Sequence, residues 1–298
     1  MIRSMRFLFV DRILQLSSAT GSVCGIKHIT PDDFYVCTDA TTGQNCFMPA
    51  LIGETLGQLT AWAVMAKTDF RMRPVAGVVA AVEMHRPAWV GETLALESWI
   101  DALDETAVQY HGEVWVGAEL VLRIDGALGP MLPMEDFIAP SEVRRQFKEI
   151  DRPGTWPDLS SISVHPLPKQ LHMPALQFDA VLVNEPGVRI VAVKHVTRAA
   201  AYFPDHFPRK PVLPLTILLE CSMNLAKIFL QHAVLGSQYR IRRLRKIKMS
   251  DFVYPGDVVT CDIVIKTQED QALTLRCMAT VLGKRVCGLE IECDLGEQ

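Results

Sequence analysis

Two stretches of the chain, residues 50–68 and 214–233, carry apolar side chains around most of a helical circumference rather than along one stripe. A helix so evenly apolar has to be enclosed, and the neighbouring segments predict what encloses it. VVTCDIVIKT and ALTLRCMATVL alternate apolar, often β-branched residues with polar ones at a period of two, which predicts strands with one covered face. GSVCGIKHI and RIVAVKHV read as strands as well. The pattern predicts an α+β chain in which long central helices are wrapped by curved antiparallel sheet.

The pattern is also written twice. DRILQLSSATGSVCGIKHIT near the start matches DAVLVNEPGVRIVAVKHVT in the second half, pairing Asp11 with Asp179 and Lys27-His28-Ile29-Thr30 with Lys194-His195-Val196-Thr197. PALIGETLGQLTAWAVM matches PLTILLECSMNLAKIFL, pairing Glu54 with Glu220. Gly91 then pairs with Gly256, and Gly117 with Gly283. The segments keep their order and a nearly constant offset, so the chain reads as a duplication.

Between the copies, residues 129–175 hold eight of the 18 prolines, which argues against long helix or sheet. SEVRRQFKEI is the exception, a short helix with Ser141 as N-cap and Glu142 in its first turn. The expected organisation is an N-terminal half over 1–128, an ordered proline-rich linker over 129–175, and a C-terminal half over 176–298.

Composition narrows the class. At 49% hydrophobic and 21% charged residues the chain has material for a packed core. A net charge of −4 argues against a nucleic-acid partner. Arg3 and Arg6 before an apolar run imitate a secretion signal, but Asp11 and Arg12 interrupt the run and no stretch reaches membrane-span length. A cytoplasmic protein is expected. None of the eight cysteines forms a C-x2-C pair, so they read as small core residues and not as a zinc site.

The chemistry concentrates in AAAYFPDHFPRKPVLPLTILLECSMNLAKIFL. From Tyr202 onward, His206-Phe207-Pro208, Pro211, Pro214 and Glu220 stand at the spacing of the active-site segment of bacterial 3-hydroxyacyl-ACP dehydratases, and the FVYPGD turn fits as well. The chain therefore resembles that family, whose fold is the hotdog, here as a tandem double hotdog. The resemblance implies elimination of water from a 3-hydroxyacyl thioester, a phosphopantetheine-bearing acyl carrier protein as partner, and no metal or organic cofactor. Two positions depart from the family, where Asp205 and Leu215 replace glycine.

Such an elimination needs a base for the α-proton and an acid for the leaving hydroxyl. Imidazole suits the first near neutral pH, and a carboxyl group whose pKa is raised by burial suits the second. In the family each site joins the histidine of one hotdog to the acid of its neighbour. Fourteen residues before Glu54 stands Ala40 rather than histidine, so the resemblance implies one hybrid site, with His206 as base and Glu54 as acid. Gln58, one turn on, would orient the acid. Leu215 and Thr216, opening the second helix, would offer backbone N–H groups to the thioester oxygen. Glu220 as acid and Asp205 as a partner that fixes the tautomer of His206 remain open. Pro49 lies five residues before Glu54 whereas Pro214 lies six before Glu220, which predicts a shifted start for the first helix.

The remaining histidines, including the repeated pair His28 and His195, read as scaffold or surface. The run YRIRRLRKIK, with Arg240, Arg242, Arg243 and Arg245, reads either as a docking strip for an acidic carrier protein or as a solvated edge strand. Two rivals to a dehydratase stay open, a hotdog acyl-thioester hydrolase and a non-catalytic acyl-binding subunit. A homo-oligomer of such pseudo-dimers is open too.

Overall fold

The computed structural model describes residues 7–17, 20–30, 33–39, 41–155, 176–196, 200–232, 239–269 and 272–295. Ala40, His165 and His172 lie outside them, as does most of the proline-rich segment.

The first half runs β1 (Arg12–Leu16), β2 (Ser22–His28), the hairpin β3 (Val36–Thr38) and β4 (Asn45–Phe47), and helix α1 (Pro49–Lys67). It continues through β5 (Met72–Pro74), β6 (Val78–Met84), β7 (Thr93–Leu103), β8 (Ala107–Val116) and β9 (Glu119–Pro133). Helix α2 (Pro140–Ile150) follows. The second half runs β10 (Ala180–Glu185), β11 (Arg189–His195), α3 (Leu215–His232), β12 (Tyr239–Met249), β13 (Val258–Gln268), β14 (Ala272–Val281) and β15 (Lys284–Leu295).

Nearly all the strands join one antiparallel sheet in the order β1-β2-β7-β8-β9-β6-β12-β15-β14-β13-β11-β10. The order is a palindrome. Each first-half strand in this order has its counterpart at the mirrored place, whereas β3, β4 and β5 have none among the described residues, and β6 pairs with β12 at the centre, from Arg243↔Glu83 to Lys248↔Val78. The period-two pattern explains the covered face: Val259, Cys261 and Ile263 on β13 and Leu275 and Cys277 on β14 are buried. These cysteines fill small core positions, as their apolar surroundings suggest.

Both helices sit in one contiguous core, with Leu51, Leu56 and Leu59 of α1 and Ile217, Ala226 and Phe229 of α3 fully buried. The helices begin in step: Pro49 corresponds to Leu215, so Glu54 and Glu220 occupy the same turn and the shift expected from the proline spacing does not occur. The turns repeat too. Gly91 and Gly256 have φ of 103° and 100°, conformations that favour glycine, and their N–H groups bond Ile29 O and Val196 O at 2.7 Å each. No helix among the described residues is long and apolar enough to cross a membrane.

Three local expectations are corrected. α2 is capped at Ala139 with no side-chain bond, so Ser141 lies inside the helix after Pro140 rather than at its cap, while Glu142 is in the first turn as expected. β9 continues through 129–133, because Pro130 uses its carbonyl, accepting Val75 N at 3.1 Å, and needs no N–H there. β12 is a central strand and not an edge. Arg243 pairs with Glu83 at 2.8 Å, Arg245 with Glu292 at 2.9 Å, and Arg242 approaches Asp294 at 4.0 Å, so much of its charge is met by carboxylates of adjacent strands.

Candidate active site

The segment from Ala200 to Pro214 holds His206 on a loop fixed by backbone bonds: His206 N to Tyr202 O at 2.9 Å, Val212 N to His206 O at 3.1 Å and Leu213 N to Val253 O at 2.8 Å. The prolines at 204, 208, 211 and 214 keep this stretch out of helix and sheet and let it turn the histidine inward. The imidazole stacks on Phe207 with centroids 4.1 Å apart and meets the edge of Phe7 at 5.7 Å. His206 Nδ1 lies 3.0 Å from the carbonyl oxygen of Val212. A carbonyl only accepts, so Nδ1 carries the hydrogen and Nε2 keeps a free lone pair. Burial pushes the His206 pKa down to about 3, and the nearby Arg73 cation adds to the effect. The ring is therefore neutral at pH 7, the form a base requires.

Glu54 lies on α1, in the other half of the chain. Gln58 Nε2 donates to its Oε1 at 2.9 Å, and Thr216 Oγ1, in the first turn of α3, donates to its Oε2 at 2.9 Å. Burial raises the pKa of this carboxyl, against the lowering effects of Gln58, Thr216 and Arg73. Gln58 also accepts Phe9 N at 2.9 Å and donates to Phe7 O at 3.1 Å, so it ties the acid to the N-terminal segment.

His206, Glu54, Gln58, Asp205, Leu215 and Thr216 all line one cavity, with about 1190 Å3 of empty space including its opening. Its apolar wall comes mostly from the first half, including Val82, Met84, Leu122, Ile124 and Ala127. Gly53 and Gly57 on α1 leave it room: a Cβ on Gly57 would stand 3.4 Å from the Tyr110 hydroxyl. A smaller cavity of about 430 Å3 adjoins it and shares Leu8, Gln58, Ala61, Arg73 and Asp205.

Two expected residues take other places. Glu220 is 2% exposed, accepts Ala50 N at 3.2 Å at the start of α1, and lines neither cavity. It closes a helix end that has Met48, with no side-chain cap, before it. Asp205 accepts Phe7 N at 2.6 Å, and the tautomer of His206 is set by Val212 instead. The four arginines of β12 alternate with, or stand apart from, Leu244 and Ile247, which line the cavity from the same strand. Arg243 and Arg245 therefore face away from the cavity, across the sheet.

Sequence reasoning passed over Arg73, Phe7 and Tyr110. Arg73 follows α1 in a short MRP strand, and no arginine stands at the corresponding offset of the second half, where Gln238 and Tyr239 fall. That asymmetry between copies was the available signal.

The FabA-like domain profile matches residues 168–290. The 3-hydroxyacyl-[acyl-carrier-protein] dehydratase FabZ of Oenococcus oeni is 30% identical over 120 residues, 40% of this chain and 86% of that protein. FabZ of Aromatoleum aromaticum is 31% identical over 128 residues, 41% of this chain and 88% of that protein. Among solved structures, a putative oleoyl thioesterase from Lactobacillus plantarum covers 95% of this chain and 100% of its own, with 13% identity and a TM-score of 0.58. The dehydratase domain of the polyketide PpsC from Mycobacterium tuberculosis covers 97% and 98%, with 12% identity and a TM-score of 0.55. At such identities the likeness is one of fold, and the fold is the hotdog. With His206 and its prolines inside the matched segment, the chain belongs to the FabA-like hotdog family together with the FabZ 3-hydroxyacyl-[acyl-carrier-protein] dehydratases.

Proposed function

We propose that this chain is a 3-hydroxyacyl thioester dehydratase built as two hotdog units, residues 1–128 and 176–298 joined through 129–175, with one working site. The observation that carries the reading is that His206 of the second unit and Glu54 of the first line the same apolar cavity. The site that would use Glu220 has Ala40 where a histidine is needed, and Glu220 is engaged in holding α1.

The acyl chain enters the cavity with its C2 and C3 between the two groups. His206 Nε2 takes a proton from C2. Charge gathers on the thioester oxygen, for which the N–H groups of Leu215 and Thr216 at the start of α3, with the positive end of the helix dipole, are the receivers. Glu54 gives its proton to the C3 hydroxyl, which leaves as water, and the C2–C3 double bond forms. One proton is gained and one lost by the protein, and exchange with solvent resets both. Each of the two groups contributes on the order of 10²–10⁴-fold. The relatives' names point to an acyl group on acyl carrier protein as substrate, and the 3-hydroxyacyl carrier thioester is the form we assign.

Incubation with a 3-hydroxyacyl carrier thioester, followed by mass analysis, tests the reading. A 2-enoyl thioester, 18 mass units lighter by the loss of one water, is the expected product. Release of free acid identifies a hydrolase instead, and no conversion across several chain lengths identifies a binding subunit.

A further inference from the structure

We propose that Arg73 is an oxyanion-binding residue of this cavity, placed where the tunnel meets the smaller adjoining chamber. The inference rests on the acyl-site reading above for the identity of the cavity, but not on the reaction that takes place there.

Arg73 lines both chambers. Its guanidinium carbon lies over the ring of Phe207, 4.0 Å from the centroid, and so is anchored beside the residue that follows His206. Its polar partners do not match its charge. Nη1 reaches only the sulfur of Met65 at 3.9 Å, and Nε is buried with no hydrogen-bond partner. Among the described residues no carboxylate pairs with it. Glu54 acts on it electrostatically, yet both oxygens of Glu54 are already held, by Gln58 and by Thr216. Asp205, which also faces the smaller chamber, is bonded to the backbone of Phe7.

Burial pushes Arg73 down only to about 10, so it remains a cation at neutral pH. A half-buried cation whose Nε has no partner calls for an acceptor. The acceptor that restores the balance is an oxygen of the ligand. Guanidinium is suited to this, since it offers parallel N–H donors to a carboxylate or an enolate. Two sources fit that chemistry: the thioester oxygen as it becomes an enolate, or a fixed carboxylate carried on the acyl chain.

The test uses the full chain and two simple probes, octanoate and its neutral counterpart octanamide, titrated calorimetrically at pH 8. The wild type is expected to bind octanoate at least tenfold more tightly. Arg73→Met should abolish the preference while Arg73→Lys keeps part of it. No preference in the wild type, or an undiminished one in Arg73→Met, overturns the proposal, and the second of these points to the helix N-terminus as the anion receiver. Arg73→Gln repeats the comparison if Arg73→Met does not fold. Turnover of a neutral 3-hydroxyoctanoyl thioester then separates the sources. A fall in kcat at unchanged KM assigns the thioester oxygen, whereas unchanged kcat with the binding preference lost assigns a carboxylate on the chain. Because the probes are not turned over, a wild type that prefers octanoate but forms no enoyl product would count against dehydration and leave the role of Arg73 intact.

Discussion

Glu54 and Glu220, 166 positions apart, each end against the first turn of the helix that carries the other: Glu54 at Thr216 on α3, Glu220 at Ala50 on α1. Ala50 and Thr216 are themselves 166 positions apart. The two acids are thus related by the internal repeat, yet one faces a chamber and the other is sealed in the core. Equivalent positions stand in different surroundings.

The acids should therefore separate in experiment. Glu54→Gln is expected to lower kcat by about 10²–10⁴-fold with little change in stability below neutral pH. Glu220→Ala should instead destabilise the fold by about 1–3 kcal/mol, since it leaves Ala50 N without its buried acceptor. Urea unfolding beside steady-state kinetics measures both. Equal loss of turnover in Glu54→Gln and Glu220→Gln would remove the assignment of Glu54.

The pH dependence should carry an unusual acid limb. With His206 neutral down to about 3, kcat/KM is expected to hold through pH 6.5, where an ordinary histidine would already protonate. Glu54 must be protonated to act, and burial raises its pKa, so the alkaline limb belongs to it and should be absent from the residual activity of Glu54→Gln. A midpoint near 6.5 on the acid side would contradict an imidazole held neutral by its lowered pKa.

Stability should follow the same groups with opposite signs. The folded-state pKa of His206 is depressed, so below about 6.5 the unfolded chain binds the extra proton first. Its contribution is full above that value and is lost as the pH falls toward about 3. Glu54 and Glu220 are raised, so their contribution is full below the ordinary carboxyl value and is lost as the pH rises through their folded values. Melting His206→Gln across pH 3–7 should show a flatter acid decline than the wild type.

Thr216 and Gln58 should act through Glu54. Thr216→Val removes one donor to the carboxyl and is expected to reduce kcat several-fold, about 1 kcal/mol, with Thr216→Ser restoring it. Gln58→Leu also releases the backbone of Phe7 and Phe9, so it should lower both kcat and the melting temperature. A Thr216→Val variant with wild-type kcat would show that the hydroxyl is not needed to orient the acid.

Gly57 trades stability for room. A glycine in a helix interior costs about 1 kcal/mol relative to alanine, and here the added Cβ meets only the Tyr110 hydroxyl at contact distance. Gly57→Ala is expected to raise the melting temperature and to shift preference toward shorter acyl chains, while Gly57→Val should exclude long ones. Competition between chain lengths gives the readout, and an unchanged profile in both variants would mean that the acyl chain does not pass Gly57.

Much of this arrangement was legible because hydrophobic period and repetition are local signals. The two apolar helices, the alternating strands and the HFP segment with its downstream acid can be read without coordinates, and comparison of the copies led to Ala40 and so to Glu54. What the sequence concealed depends on distant contacts. Ser141 has the chemistry of a cap, but Pro140 takes the first helical position and moves the helix start ahead of it. Arg240 and Arg242 of β12 are exposed, but Arg243 and Arg245 look equally free until Glu83 and Glu292 arrive from neighbouring strands. Arg73 and Phe7 enter the site from segments with no motif at all, brought there by the return of the chain after α1 and by the bonds of Asp205 and Gln58 to the N-terminal backbone.

The junction of β6 with β12 makes the two halves neighbours within a single polypeptide. In an assembly of identical subunits a substitution is imposed on every copy at once, so neither copy of a site can be spared. Here a change in one half leaves its counterpart untouched. One helix can widen a channel with glycines while its twin keeps a solid core, and selection is free to specialise the halves separately.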